Sequence, residues 1–292
     1  MNLIVTGQDG TVYSVPVSSG SWDSNPTTLI RDYIDQQVNK APEIQNVSLV
    51  LTAKQLDALP STALPPLTYK GIICGISTGD TNPHTTPAPT FHKKLSIPSL
   101  LTSQYSRPHV DQPVLWQTAW PDAHNLHPGE IEKDEVLQRV SENSGFWVYW
   151  GHGEFDRLRG YGHISTPDLL KMIPQQRMPV DLSIWLSCNT LADPEDADND
   201  HKTIGRQWYT AGGTQCLLAA SEQVPTELNE RFSNALLETL ITHNHGGSLM
   251  FVQWLSQSLA RLADDEQQFI SGCYKLFGSP ARFDNVQESE AV

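Results

Sequence analysis

Apolar and polar positions change rhythm along the chain. Up to residue 45 they alternate weakly, in LIVT and TVYSVPV, before a polar turn, SSGSWDSNPTT. A hairpin is predicted there, followed by a short helix in LIRDYIDQQVNK. NVSLVLTAKQLDAL reads as a strand running into a helix. YKGIICGIST, residues 69–78, is a continuous apolar run between turn signals, which marks a strand buried on both faces. Residues 79–113 are rich in Pro, Thr, Ser and His, and TNPHTTPAPT supports neither a helix nor a central strand. A long surface loop is expected there. VLWQTAW (114–120) predicts a further short strand, and PGEIEKDEVLQRVSENSG (128–145) a helix ended by Gly145.

Beyond residue 145 the rhythm becomes regular. FWVYW, VDLSIWLS and TQCLLAAS are apolar runs of strand length. Between them lie STPDLLKMI, with Thr166 as expected N-cap and Pro167 at N1, and TIGRQWYTAGG, a short helix closed by glycine. TELNERFSNALLETL places Leu228, Phe232, Ala235, Leu236, Thr239 and Leu240 on one helical stripe. SLMFVQWLSQSLARL does the same with Leu249, Val252, Leu255, Leu259 and Leu262. Strands this apolar, alternating with helices, predict an α/β fold with a mostly parallel sheet covered on both faces.

Composition narrows the function classes. The 292 residues carry a net charge of −14, so no nucleic-acid partner is expected, because phosphate binding needs a basic face. There is no basic segment followed by a long apolar one at the start, and no apolar run near the length of a membrane span. A cytoplasmic location is the default expectation, with signal-independent export as the alternative. Cys74, Cys188, Cys216 and Cys273 are far apart and form no CxxC pair, which argues against structural zinc and a disulfide framework.

Two apolar runs stop at reactive side chains. FWVYWGHG ends its strand just before His152, and LSIWLSCNT ends just before Cys188. Reactive groups in open α/β sheets collect beyond the carboxyl ends of strands, and consecutive strands of such a unit are usually neighbours. Taken singly, a buried cysteine reads as core and a strand-end histidine as a loop residue. Their matching positions point instead to a thiol beside an imidazole, the minimum for nucleophilic catalysis. The N–H of Gly153 could point at a developing oxyanion.

A strand ending in HG, followed by a strand ending in SC, resembles the clan CD cysteine peptidases: caspases, gingipains, clostripain, separase and the CHAT domains. YWGHG with WLSCNT is most similar to the gingipain and CHAT branches, bacterial families among them. TIGRQWYTAGGTQCLLAASEQV resembles their helix, turn and strand. TELNERFSNALLETLITHNHGGSLMFVQWLSQSLARL resembles the paired CHAT helices, and YKLFGSPARF the closing LFGDP segment of gingipains. The resemblance covers residues 145–283 and, more loosely, IICGIST. It implies a caspase-like three-layer α/β/α sandwich over residues 67–283, after an N-terminal extension or small subdomain (1–66) and before a polar tail (284–292). It implies a cysteine endopeptidase with Cys188 as nucleophile, His152 as general acid/base, and the amides of Gly153 and Cys188 lining the oxyanion hole. No cofactor is required. Two departures stand out: Leu191 replaces a glycine of the gingipain SCxTGxF pattern, and GSP replaces GDP in the closing segment.

Clan members choose one residue before the scissile bond by a charged group in the first pocket. Asp80, Asp122 and Glu222 are the candidates for an acid that would favour a basic P1 residue. In the loop DPEDADNDH, the alternate carboxylates Asp196, Asp198 and Asp200 could bind Ca2+, although the glycine of an EF-hand loop is missing. The plainer reading of the same loop is a solvated acidic segment, and the resemblance to caspases, whose corresponding linker is cut during activation, implies a processing or regulatory segment as the other. The expected partners are a protein or peptide substrate and a regulatory protein. One rival reading keeps the fold and treats the chain as a catalytically silent interaction or regulatory module; a second makes it a different α/β hydrolase or transferase acting on a small molecule.

Overall fold

In the computed structural model, the residues described are 2–8, 11–17, 25–37, 44–78, 90–91, 99–102, 107–119, 124–126, 131–142, 146–175, 180–195, 201–243, 249–278 and 282–283. The main sheet is built from β1 (Asn2–Gly7), β2 (Val12–Pro16), β3 (Ile44–Leu51), β4 (Ile72–Thr78), β5 (Ser99–Thr102), β6 (His124–Leu126), β7 (Phe146–Trp150), β8 (Val180–Leu186), β9 (Thr214–Ala220) and β10 (Tyr274–Gly278). Their spatial order is β2-β1-β3-β4-β10-β9-β8-β7-β5-β6, and Thr68–Tyr69 adds a short strand on β4. The strands from β9 through β8, β7 and β5 to β6 pair in parallel, as do β3, β4 and β10. The antiparallel contacts are those of β1 with β2 and β3, of β9 with β10, and of the short Thr68–Tyr69 strand with β4. The stretch before residue 67 therefore extends the same sheet by three strands.

Nine α-helices occur among the described residues: α1 (Pro26–Gln37), α2 (Ala53–Asp57), α3 (Arg107–Ala119), α4 (Lys133–Glu142), α5 (Thr166–Met172), α6 (Ile204–Thr210), α7 (Thr226–His243), α8 (Phe251–Leu259) and α9 (Asp264–Cys273). Successive residues of a strand face opposite ways, so each central strand feeds two cores. Trp147, Tyr149 and Trp185 join Ile30, Val136, Leu169 and Trp208 on one face. Val148, Trp150, Ile184 and Leu186 join Trp116, Phe232, Leu255 and Ile270 on the other. The result is the expected three-layer α/β/α sandwich with a mostly parallel sheet. Trp147 anchors the first core, with edge-on contacts to Trp185 at 5.3 Å and Trp208 at 5.6 Å between ring centroids.

The structure corrects several local expectations. The described part of VLWQTAW, residues 114–119, is not a strand but the second half of α3, which also takes in residues 107–113 of the expected loop. The helix wins because it can lay Trp116 and Gln112 on α7: Trp116 Nε1 donates to Ser233 Oγ at 2.8 Å, and Gln112 Nε2 to Asn234 Oδ1 at 3.0 Å. The N-cap of α5 is Ser165 rather than Thr166. Its N–H and hydroxyl both reach Asp168 Oδ2, at 2.9 and 2.7 Å, which closes the first turn. SLMFVQWLSQSLARL divides into a two-residue strand, Leu249–Met250, and the shorter helix α8. Gly145 and the 284–292 tail lie outside the described residues.

Candidate active site

The rim of the sheet where β7 and β8 end holds both reactive side chains. The two strands pair in parallel, with Trp150 opposite Leu186 as the last partners. Gly151 N–H still reaches the Leu186 carbonyl, at 3.2 Å. His152 and Cys188 each stand two residues beyond that same pair, on strands about 4.8 Å apart. Hydrophobic burial of FWVYW and VDLSIWL fixes this register, because a slip of one residue would turn every tryptophan to the wrong face.

The turn carrying His152 is tied down from beneath. The Tyr149 hydroxyl, buried in the core, donates to the His152 carbonyl at 2.6 Å and accepts from Gly160 N–H at 3.3 Å. Arg159 N–H donates to the same carbonyl at 3.0 Å. After His152 the chain forms a hairpin in which Gly153 faces Leu158 and Glu154 faces Arg157. Continuing that register sets His152 opposite Arg159. Alternation then places His152, Glu154, Arg157 and Arg159 on one face, and Gly153 and Leu158 on the other. Leu158 is fully buried, so the face with His152 is the outer one.

Gly153 presses on the cysteine loop. A Cβ there would lie 2.6 Å from the Cys188 carbonyl, 2.7 Å from Thr190 Cγ2 and 3.0 Å from Ser187 Oγ. Glycine is needed here for close approach. On the other side, Cys188 Sγ lies 3.4 Å from both the carbonyl and the N–H of Val224. Asn189, with φ of +57°, turns the chain away and donates its N–H to the Glu222 carbonyl at 3.1 Å. Leu191, which stands where gingipains have glycine, is fully buried against Gly205 of α6.

Exposure separates the four thiols. Cys74, Cys216 and Cys273 are buried, whereas Cys188 is partly exposed. Burial pushes the Cys74 thiol up to about 12 and Cys273 up to about 11, so neither is a ready nucleophile. His152 is partly exposed, and its pKa is held below the ordinary imidazole value, first by burial and then by the Arg159 charge.

Of the candidate pocket acids, Glu222 is the one that falls among the described residues. It stands two residues past the end of β9, is exposed, and puts its carboxylate 4.0 Å from Cys273 Sγ. Burial lowers the pKa of nearby Lys275, and Glu222 partly offsets this. Asp80, Asp122 and the calcium candidates Asp196, Asp198 and Asp200 lie outside the described residues. Among the described residues, no group of three or more His, Cys, Asp or Glu is arranged to hold a metal ion. Likewise, no helix among them is long and apolar enough to cross a membrane.

Sequence reasoning missed the supports of the site. Tyr149 carried only the apolar signal of its strand. Asp193 and Arg206, on the loop and helix after Cys188, form a partly buried ion pair at 3.6 Å that no local pattern announces. Arg206, fully buried, also donates to the carbonyls of Leu56, at 2.8 Å, and Leu59. Asp193 Oδ2 accepts from Ser61 N–H at 2.6 Å, and His201 Nδ1 lies 3.1 Å from Asp193 Oδ1.

Comparison with known proteins places this geometry. The family model described as peptidase family C25 matches residues 76–282. No curated protein matches the chain. Among solved structures, the Arg-specific cysteine proteinase gingipain R (RgpB) superposes with a TM-score of 0.64 at 12% identity, over 90% of this chain and 69% of that one. The complex of Porphyromonas gingivalis RgpB pro- and mature domains gives 0.61 at 11% identity, over 91% and 70%. Saccharomyces cerevisiae separase, in its complex with securin, gives 0.56 at 15% identity over 90% of this chain but only 18% of its own. These likenesses show a shared caspase-like fold, and the family match shows the chemistry. The chain belongs to peptidase family C25 and is a cysteine-type peptidase, a hydrolase.

Proposed function

We propose that the protein is an endopeptidase whose catalytic dyad is Cys188 and His152. The observation that carries this reading is the shared register: both side chains stand two residues past the Trp150–Leu186 pair, at one rim. Cys188 is also the thiol of the four that is not buried. His152 takes the thiol proton, the thiolate attacks the scissile carbonyl, and the tetrahedral oxyanion collapses to a thioester as the C–N bond breaks. The departing amine takes its proton back from His152, and water then hydrolyses the thioester with His152 as base.

The amides of Gly153 and Cys188 line the oxyanion hole. Hydrogen-bonded and non-bonded pairs alternate in an antiparallel hairpin. Because Arg159 donates to His152, the Gly153–Leu158 pair is the non-bonded one. The Gly153 N–H is thereby directed away from Leu158, where a substrate oxygen can use it. Glu222, exposed beside the cysteine loop, is the acid that supports a preference for a basic P1 residue. The RgpB structure holding pro- and mature domains together supports a regulatory protein segment for this chain too.

The test is peptide-library digestion with the wild type and Cys188→Ala side by side, with and without calcium, alongside labelling by a peptidyl electrophile ending in Arg. The expected result is cleavage and labelling that vanish in Cys188→Ala. Cleavage persisting in that variant, or labelling of another cysteine, would remove Cys188 from the mechanism. A calcium response that is lost on replacing Asp196, Asp198 and Asp200 with Asn would assign that loop as its site.

A further inference from the structure

His152 shares its face of the hairpin with charged side chains that the proposed chemistry does not use. The leaving amine must lie against His152 to be protonated, so the substrate chain beyond the scissile bond passes over this face. Opposite His152 in the register stands Arg159, and directly opposed residues of such a pair hold their Cβ atoms about 5 Å apart. Its side chain is 49% exposed. Glu154 accepts from Arg159 Nε and Nη2 through a single oxygen, Oε1, which leaves the guanidinium further donors. Arg157, by contrast, is drawn toward the hairpin tip by two acids, Glu154 at 2.9 Å and Asp156 at 3.0 Å. The face is therefore graded, with paired charges at the tip and a cation with spare donors beside the imidazole. On a chain of net charge −14, a substrate carboxylate is repelled over most of the surface, and Arg159 supplies a local exception.

We propose that Arg159 is a specificity-determining residue that selects substrates with an acidic side chain in the first two positions after the scissile bond. A carboxylate there meets the free edge of the guanidinium in a charge-assisted hydrogen bond. The proposal rests on the dyad described above, because only that dyad sets which way the leaving segment runs.

The experiment uses the full chain and a peptide it cleaves, made with Glu, Gln or Lys at each of those two positions. The readout is the ratio of kcat/KM values within one enzyme preparation, so a fold defect, which slows all peptides alike, leaves it unchanged. For the wild type, Glu is expected to beat Gln by about threefold to fivefold, the scale of one exposed ion pair, and Lys by more. The preference should shrink at about 0.5 M salt, where the screening length is only a few ångströms. Arg159→Gln should bring the Glu-to-Gln ratio to about one, and Arg159→Lys should restore part of it. A wild type indifferent to these residues, or an unchanged ratio in Arg159→Gln, overturns the proposal while leaving the peptidase reading intact. No Cys188-dependent cleavage of any peptide overturns the peptidase reading and this inference with it.

Discussion

At Gly153 a single missing methyl group lets two loops meet. A Cβ 2.6 Å from the Cys188 carbonyl must displace backbone on one side or the other. Gly153→Ala should lower stability by about 1–3 kcal/mol, the cost of overpacking, and turnover should fall at least tenfold. Thermal melts and steady-state rates on the same preparation check both. His152 offers a pH test. Its pKa lies below the usual value, so the neutral imidazole persists as pH falls through about 6.5. The acid limb of kcat/KM should therefore fall below that value. Removing the Arg159 charge should move the limb upward, and a limb that stays or drops in Arg159→Gln would contradict the assigned cause. Folding follows the same sign. The stability that neutral His152 contributes is present above the ordinary imidazole value and is lost as pH falls through the lowered one. The placement of His152 and Cys188 at one rim was legible in the sequence, because each interrupts an apolar run at its end. Asn189 and Tyr149 were not, since a positive φ and a buried hydroxyl bond leave no trace in local pattern.

Among the elements, α6 holds the loop that follows Cys188. Thr203 caps it, Gly205 N–H donates to the Thr190 carbonyl at 3.1 Å, and Arg206 reaches back to α2 and to Asp193. Burial lowers the Arg206 pKa to about 10, with Asp193 opposing the shift, so the guanidinium stays charged at neutral pH. Asp193→Ala should cost about 3 kcal/mol, the low end for breaking a buried pair, because Asp193 keeps some exposure. The double variant Asp193→Ala with Arg206→Met should lose less than the sum of the two single changes. Denaturant unfolding of the four proteins reads that coupling. Strand-length apolar runs made the central sheet legible in advance. The misread α3 shows where that reading fails: Pro113 sits inside this helix, and docking on α7 overrides local preference.

For the molecule as a whole, the sheet leaves no seam at residue 67. β3 pairs with β4 along six residues, from Asn46–Ile73 to Leu51–Thr78. Removing residues 1–66 would strip β4, a strand buried along all but its last residue, of its neighbour and uncover Ile73, Cys74 and Ile76. A chain starting at residue 67 should aggregate or elute as a broadened species in gel filtration, where the full chain gives one peak. Strand order was the part of the fold least legible from sequence. Pattern identifies strands, but the pairing of β10 with both β4 and β9 joins residues about 200 positions apart on one side.

β10 is the last of these strands in sequence and lies at the centre of the sheet, between β4 and β9. A growing chain on the ribosome thus acquires the imidazole at 152 and the sulfur at 188 long before it can join the two half-sheets. Until residue 278 has left the exit tunnel, the edges of β4 and β9 lack their common partner, and the rim above them has no finished support. The topology in this way ties the finished support of that rim to the emergence of residue 278, and not to that of residue 188.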